Sequence, residues 1–263
     1  MDHRQVLSAD RGLQRDPVSS AQRAIELGRP LILVSAFLLA VRFVGPWAAP
    51  LALVCVFAVA ILVHDLLHNA LHLPKGWSEV ALSFFALFLI KSGHALRESH
   101  LRHHQLCLTD ADEEGRVAHQ SILRLVLTGP WIAVRARVTA FQSGVRTRRR
   151  QAIETGLNAL SFLALVGAAL RGSMAALLYL SAVILITLTA PIWGAKIPHT
   201  LPVGHPFVRW LRLHVGRWTP AASSVLFHEL HHRAPRLPVS LLALHRAEIE
   251  ARPASPCEEL PPR

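Results

Sequence analysis

Two long apolar blocks confine this chain to a membrane before any other feature is read. Across residues 31–63 the only strongly polar side chain is Arg42, and Gly45, Pro46 and Pro50 divide the block into two helices. The second block covers 157–170, breaks at Arg171, Gly172 and Ser173, and resumes over 174–194 with Ser181, Thr187 and Thr189 as small polar interruptions. A span needs about 20 apolar residues. The blocks therefore predict four spans arranged as two hairpins, at about 31–45, 51–72, 157–171 and 174–194. Residues 80–90 form a further apolar run too short to cross. It is read as a helix dipping into the interface, because an odd number of spans would divide the histidine clusters between two sides. A composition of 52% hydrophobic residues and a mean hydropathy of +0.35 agree with an integral membrane class.

Charge orients the hairpins. Their turns carry one basic residue, Arg171, whereas most arginines lie in the N-terminal segment, the 116–150 connection and the tail. The positive-inside tendency places the termini and long connections in the cytoplasm. The expected organisation is a cytoplasmic N-terminal segment at 1–30, a membrane domain at 31–250 and a disordered Pro-rich tail at 251–263. The net charge of +11 is accounted for by this topology and by anionic headgroups facing the basic run Arg146, Arg148, Arg149 and Arg150. With a single tyrosine and no RNA-binding motif, nucleic acid is not an expected partner. Cys55, Cys107 and Cys257 lack metal-ligand spacing, and a reduced compartment is expected for them.

Histidines gather in three places. His100, His103 and His104 share the spacing of His228, His231 and His232, and His64 and His68 form an upstream pair. On a helix each residue advances about 100°, so positions i, i+3 and i+4 project from one sector. Eight of sixteen histidines thus fall where imidazoles converge. One cluster alone would pass for a polar helix face, but a repeated ligand pattern points to a metal site. Eight imidazoles oversupply one zinc, which takes three or four ligands. Two ions fit the count, and neutral imidazole suits iron as well as zinc. Asp65, Glu98, Asp110, Asp112, Glu113 and Glu229 lie close enough in sequence to orient the rings, with Asp65 and Asp112 the leading candidates. His94 falls about 80° from the nearest ligand direction and is read as a non-ligand. His72 continues the i+4 series but is disfavoured, and His3, His119, His205, His214 and His245 are isolated.

The segments His64-Asp65-Leu66-Leu67-His68, 99–114 and 227–245, in the order hairpin, box, hairpin, box, resemble the membrane fatty acid desaturase and hydroxylase superfamily. The resemblance covers about 50–245, and Pro235 and Pro238 fit it. It implies an all-α integral membrane protein whose four transmembrane helices carry a cytoplasmic helical cap with a di-metal site. It further implies two non-haem irons that activate dioxygen against an unactivated C–H bond, held by His64, His68, His100, His103, His104, His228, His231 and His232. A further histidine near the end of the fourth span commonly completes such a set, and His199 occupies that place. The context of His199 also resembles the carotenoid ketolase and hydroxylase branch. The third box departs from many relatives by placing its acid, Glu229, one position early.

The expected activity is O2-dependent insertion of a double bond or hydroxyl into a lipid acyl chain, with carotenoid ketolation or hydroxylation as the alternative. The lipid would enter from the bilayer along a tunnel lined by residues such as Phe57, Ile61, Phe84 and Ile184. Without a cysteine cluster, a dinucleotide-binding glycine motif or a recognisable haem domain, electrons are expected from a separate ferredoxin or b-type cytochrome with its reductase. His228-Glu229-Leu230-His231-His232 also satisfies HExxH, the zinc metalloprotease pattern with Glu as general base. That reading leaves five clustered histidines without a role. A metal transporter would require ionisable residues within the spans, and 174–189 contains no acid, base or histidine.

Overall fold

A computed structural model describes residues 18–109, 111–216 and 219–252, and no strand occurs among them. The first apolar block folds as α1 (Ser20–Val44) and α2 (Ala49–Leu67), joined by a 3-10 turn at Gly45–Ala48. Gly45 takes φ 57°, a left-handed conformation that favours glycine, and Pro46 and Pro50 start the next segments, where their missing N–H is harmless. The two helices pack against each other as a hairpin. Helix α1 begins eleven residues before the apolar run, because Ser19 caps Gln22 N and buried Glu26 accepts from Ser240 Oγ at 2.6 Å.

Helix α3 (Lys75–Phe88) packs on α2, and α4 (Gly93–Leu106) leaves it at a bend of 102°. Ser92 caps α4 through Ala95 N. Gly93 sits where a Cβ would fall 2.7 Å from Leu82 Cγ, so glycine permits the close approach at this corner. Helix α5 (Ile122–Ser143) follows, then α6 (Arg148–Leu170) and α7 (Met174–Ala190), with Gly172 at φ 89° in their turn. Among the described residues three stretches, Ser20–Leu67, Arg148–Leu170 and Met174–Thr200, are long and apolar enough to cross a membrane, and the first contains the α1–α2 hairpin. A core of Leu62, Leu66, Leu82, Phe85 and Ile186 joins α2, α3 and α7.

Beyond α7 the chain forms a π-helical turn at Pro191–Lys196, then the short helices α8 (Ile197–Thr200), α9 (Pro206–His214), α10 (Pro220–Leu226), α11 (His228–Arg233) and α12 (Arg246–Glu250). Pro191 has no N–H to donate to the preceding turn, which opens the ladder to wider bonding. A second core of Ile61, Phe227, Leu230, Val239 and Leu242 fastens α10 and α11 to the end of α2. Cys55 is a buried free thiol, but Cys107 is disulfide-bonded, so the expectation of wholly reduced cysteines is corrected there. Residues 1–17 and the tail from 253, including Cys257, lie outside the described residues.

Candidate metal centre

Four elements converge to build the site. His64 lies in the last turn of α2 and His68 is its C-cap, where the helix stops because Asn69 turns to φ 51°. His100, His103 and His104 project from α4, His199 from α8, and His228, His231 and His232 from α11. All nine histidines singled out from sequence meet in one place. One ligand atom from each of His64, His68, His100 and His231 lies within 4.8 Å of the others, and the same holds for His103, His199, His228 and His232. His104 stands between the groups, its Nε2 3.3 Å from that of His100 and 3.1 Å from that of His231, its ring stacked on His232 at 4.2 Å.

The nitrogen spacings fit metal binding. With metal–nitrogen bonds of about 2.1 Å, two nitrogens on one ion at octahedral or tetrahedral angles sit about 3.0 to 3.4 Å apart. Nε2 atoms lie 3.2 Å apart in His103 and His199, and 3.1 Å apart both in His199 and His228 and in His228 and His232. The buried Nε2 of His68 has no hydrogen-bond partner. An unpartnered buried nitrogen beside three other imidazoles is what a bound cation would satisfy.

Protonation favours ligation too. Burial, reinforced by neighbouring imidazoles, holds His104, His228, His231 and His232 well below the usual histidine range, so they are neutral ligands at physiological pH. His100 is also lowered by burial, with Glu114 acting against it. His103 differs. Burial, the largest single influence, lowers it, but the hydrogen bond to Asp112 and the charges of Glu114 and Asp112 together prevail and raise it.

Carboxylates set two rings. His103 Nδ1 lies 2.7 Å from Asp112 Oδ2, and His100 Nδ1 lies 2.9 Å from Glu114 Oε1. A carboxylate only accepts, so Nδ1 carries the hydrogen in both rings and Nε2 faces the site with its lone pair. Asp112 was legible from sequence; Glu114 was missed, because only the turn after α4 brings it back to His100. Asp65 takes a different part from the one expected. Its Oδ1 lies 3.8 Å from His64 Nδ1, too long for a hydrogen bond, and instead accepts the Val239 N–H at 3.1 Å, tying the third box's following segment to the first box. Glu113 pairs with Arg116 and Arg135, and Glu229 with Arg212. Asp110 lies outside the described residues.

His94 is no ligand. Its ring bridges Glu154 at 2.7 Å and Glu79 at 2.6 Å, while Arg97 reaches Glu79 at 2.6 Å and the carbonyl of Leu66 at 3.3 Å. This buried network fixes α4 against α3, α6 and the end of α2, and sequence spacing gave no sign of it. His72 leaves the i+4 series because α2 has already ended, and it stands at φ 50°.

A cavity of about 280 Å³ opens beside the rings, lined by His64, His100, His228 and His231 and by apolar groups including Ile61, Leu96 and Trp193. Of the expected tunnel residues Ile61 lines it. Phe57 packs on Trp193 at 4.5 Å, whereas Phe84 and Ile184 are exposed on outer helix faces, which corrects their placement.

Helices fit to span a membrane, with nine imidazoles assembled beside an apolar cavity, define a membrane-type polyhistidine protein whose clustered nitrogens could hold metal ions. The family model for fatty acid desaturases matches residues 43–257, and the chain belongs to that family. No curated protein and no solved structure matches it. Family membership implies a membrane oxidoreductase of the desaturase and hydroxylase type.

Proposed function

We propose that the protein is an O2-dependent di-iron oxidase that introduces a double bond, or a hydroxyl, into a lipid acyl chain. The observation that carries this reading is the division of eight histidines into two groups of four, each with convergent nitrogens, and a ninth between them. Two irons held there would supply the electrons that reduce dioxygen and the oxidising strength to take hydrogen from a methylene that no side-chain base deprotonates. His64, His68, His100 and His231 would hold one ion, and His103, His199, His228 and His232 the other, with His104 shared or adjoining. Asp112 and Glu114 keep Nδ1 protonated on His103 and His100, so that the outward nitrogens stay available. The apolar cavity walls exclude water and hold an alkyl chain against the rings.

In this reading α1, α2, α6 and α7 each cross the bilayer, and the site lies at the cytoplasmic ends of the spans. A separate ferredoxin or b-type cytochrome delivers electrons at the basic surface. The zinc-protease reading is disfavoured because Glu229, its required base, is engaged by buried Arg212.

The test is metal content per chain in protein purified in mild detergent from iron-replete cells, together with lipid mass profiles. Two irons, lost in His103→Ala, with lipids lighter by two hydrogens or heavier by oxygen, are the expected result. One zinc that survives His103→Ala and is lost in His228→Ala would overturn the proposal.

A further inference from the structure

The cavity beside the histidines has an imbalance of charge that the metal centre does not use. Both carboxylates on its wall are committed: Glu113 accepts from Arg116 and Arg135, and Glu114 from His100. Lys91, half-buried in the turn between α3 and α4, and Arg137, exposed on α5, line the same cavity. Neither side chain has a hydrogen-bond or ion-pair partner among the described residues. Trp193 adds a buried Nε1–H without an acceptor on the same wall. Lys91 and Arg137 are close enough that the Arg137 charge, after burial, lowers the Lys91 ammonium to about 8, with Glu114 acting against them.

Like charges turned toward one apolar cavity are unfavourable unless something negative joins them. The charged groups left uncommitted there are all donors, so the missing partner is an acceptor carrying negative charge. Arg137 also borders a second, largely apolar recess of about 550 Å³, which shares Ser92 and Ala95 with the first and is walled by Val138, Phe141 and Phe162. Arg137 therefore stands between the recess on the α5–α6 side and the chamber next to the rings, with Lys91 on the wall of that chamber.

Resting on the acyl-lipid reading above, we infer that Lys91 and Arg137 form a seat for an anionic end group, so that the substrate is an acyl lipid with a carboxylate or phosphate rather than a neutral hydrocarbon or carotenoid. Bound there, the anion fixes how far the chain extends toward the histidines, and Trp193 contributes a further donor.

The experiment measures equilibrium binding of a radiolabelled long-chain fatty acid, its methyl ester and the matching alkyl phosphate to the metal-free, full-length protein in neutral detergent. Either anion should bind at least about tenfold more tightly than the ester, a difference of about 1.4 kcal/mol. Carboxylate over phosphate, or the reverse, identifies the source of the charge. The Lys91→Met/Arg137→Met variant should lose the preference while keeping the ester affinity, and Lys91→Arg/Arg137→Lys should retain the preference. If the double methionine variant binds neither ligand, each single methionine variant must lose part of the preference for the inference to stand. Equal affinities for acid and ester in the unmodified protein, or a preference that survives the double methionine variant, would overturn the inference and leave these cations as membrane-interface anchors. No metal enters the measurement. Two bound irons without head-group preference would sink this inference alone, whereas preference without iron would sink the oxidase reading.

Discussion

Asp112 and His103 are joined by a 2.7 Å hydrogen bond between two side chains that are each 1% exposed. The same carboxylate accepts the backbone N–H groups of Leu108, Glu114 and Gly115. It therefore closes the turn after α4 and sets the ring of a metal-site histidine at once. Asp112→Asn is expected to reduce iron retention or turnover about 10- to 100-fold, the usual effect of losing a ligand's supporting group. Iron per chain and product formation, measured on the same sample, check it; unchanged values would show that His103 needs no anionic partner.

Gly115 makes that arrangement possible. A Cβ there would lie 2.1 Å from Asp112 Oδ2. Gly115→Ala should displace the carboxylate and reproduce the iron loss of Asp112→Asn, although it removes no polar atom. Full iron content in Gly115→Ala would mean that the turn relaxes without moving Asp112.

The His94 network offers a contrast between stability and chemistry. Glu154 accepts from Ser83, Ser92, the His94 ring and the His94 N–H. Glu154→Ala leaves these buried donors unmet and should destabilise the protein by about 3–5 kcal/mol. Thermal unfolding should occur at a lower temperature, while the fraction that remains folded keeps its iron. Iron loss without destabilisation would place His94 at the metal after all.

Glu229→Gln separates the two metal chemistries. In the oxidase reading it weakens a pair with Arg212, which also donates to Leu226 O at 2.6 Å, and lowers stability by about 1–3 kcal/mol with turnover per folded chain retained. A protease would lose activity entirely. Product formation normalised to folded protein distinguishes these outcomes.

Acid should weaken the metal-free site through Glu114. Burial raises its pKa, but attraction to His100 and the hydrogen bond with it prevail and bring it to about 2, below the ordinary 4.5. The folded pKa is depressed, so this contribution to stability is complete above 4.5 and is lost as pH falls toward 2. Glu114→Gln should flatten the stability–pH curve of the metal-free protein in that window. An unaltered curve would refute the assignment.

Much of this protein is determined locally. Apolar block length and the breaks at Gly45-Pro46 and Gly172 specify two helical hairpins, because turn chemistry and hydropathy act within a few residues. Box spacing specifies that His100, His103 and His104 share a helix face, because 3.6-residue periodicity does so without tertiary help. Only the fold decided that α2, α4, α8 and α11 bring these faces to one centre, that Glu114 rather than Glu113 or Glu229 reaches a box ring, and that Asp65 binds Val239 instead of orienting His64. It also decided that Phe84 and Ile184 face outward while Lys91 and Arg137 meet at the cavity. Helix periodicity fixes which side chains lie together on one element, but the partner a side chain meets depends on how separate elements pack, and that geometry is set by contacts far apart in sequence.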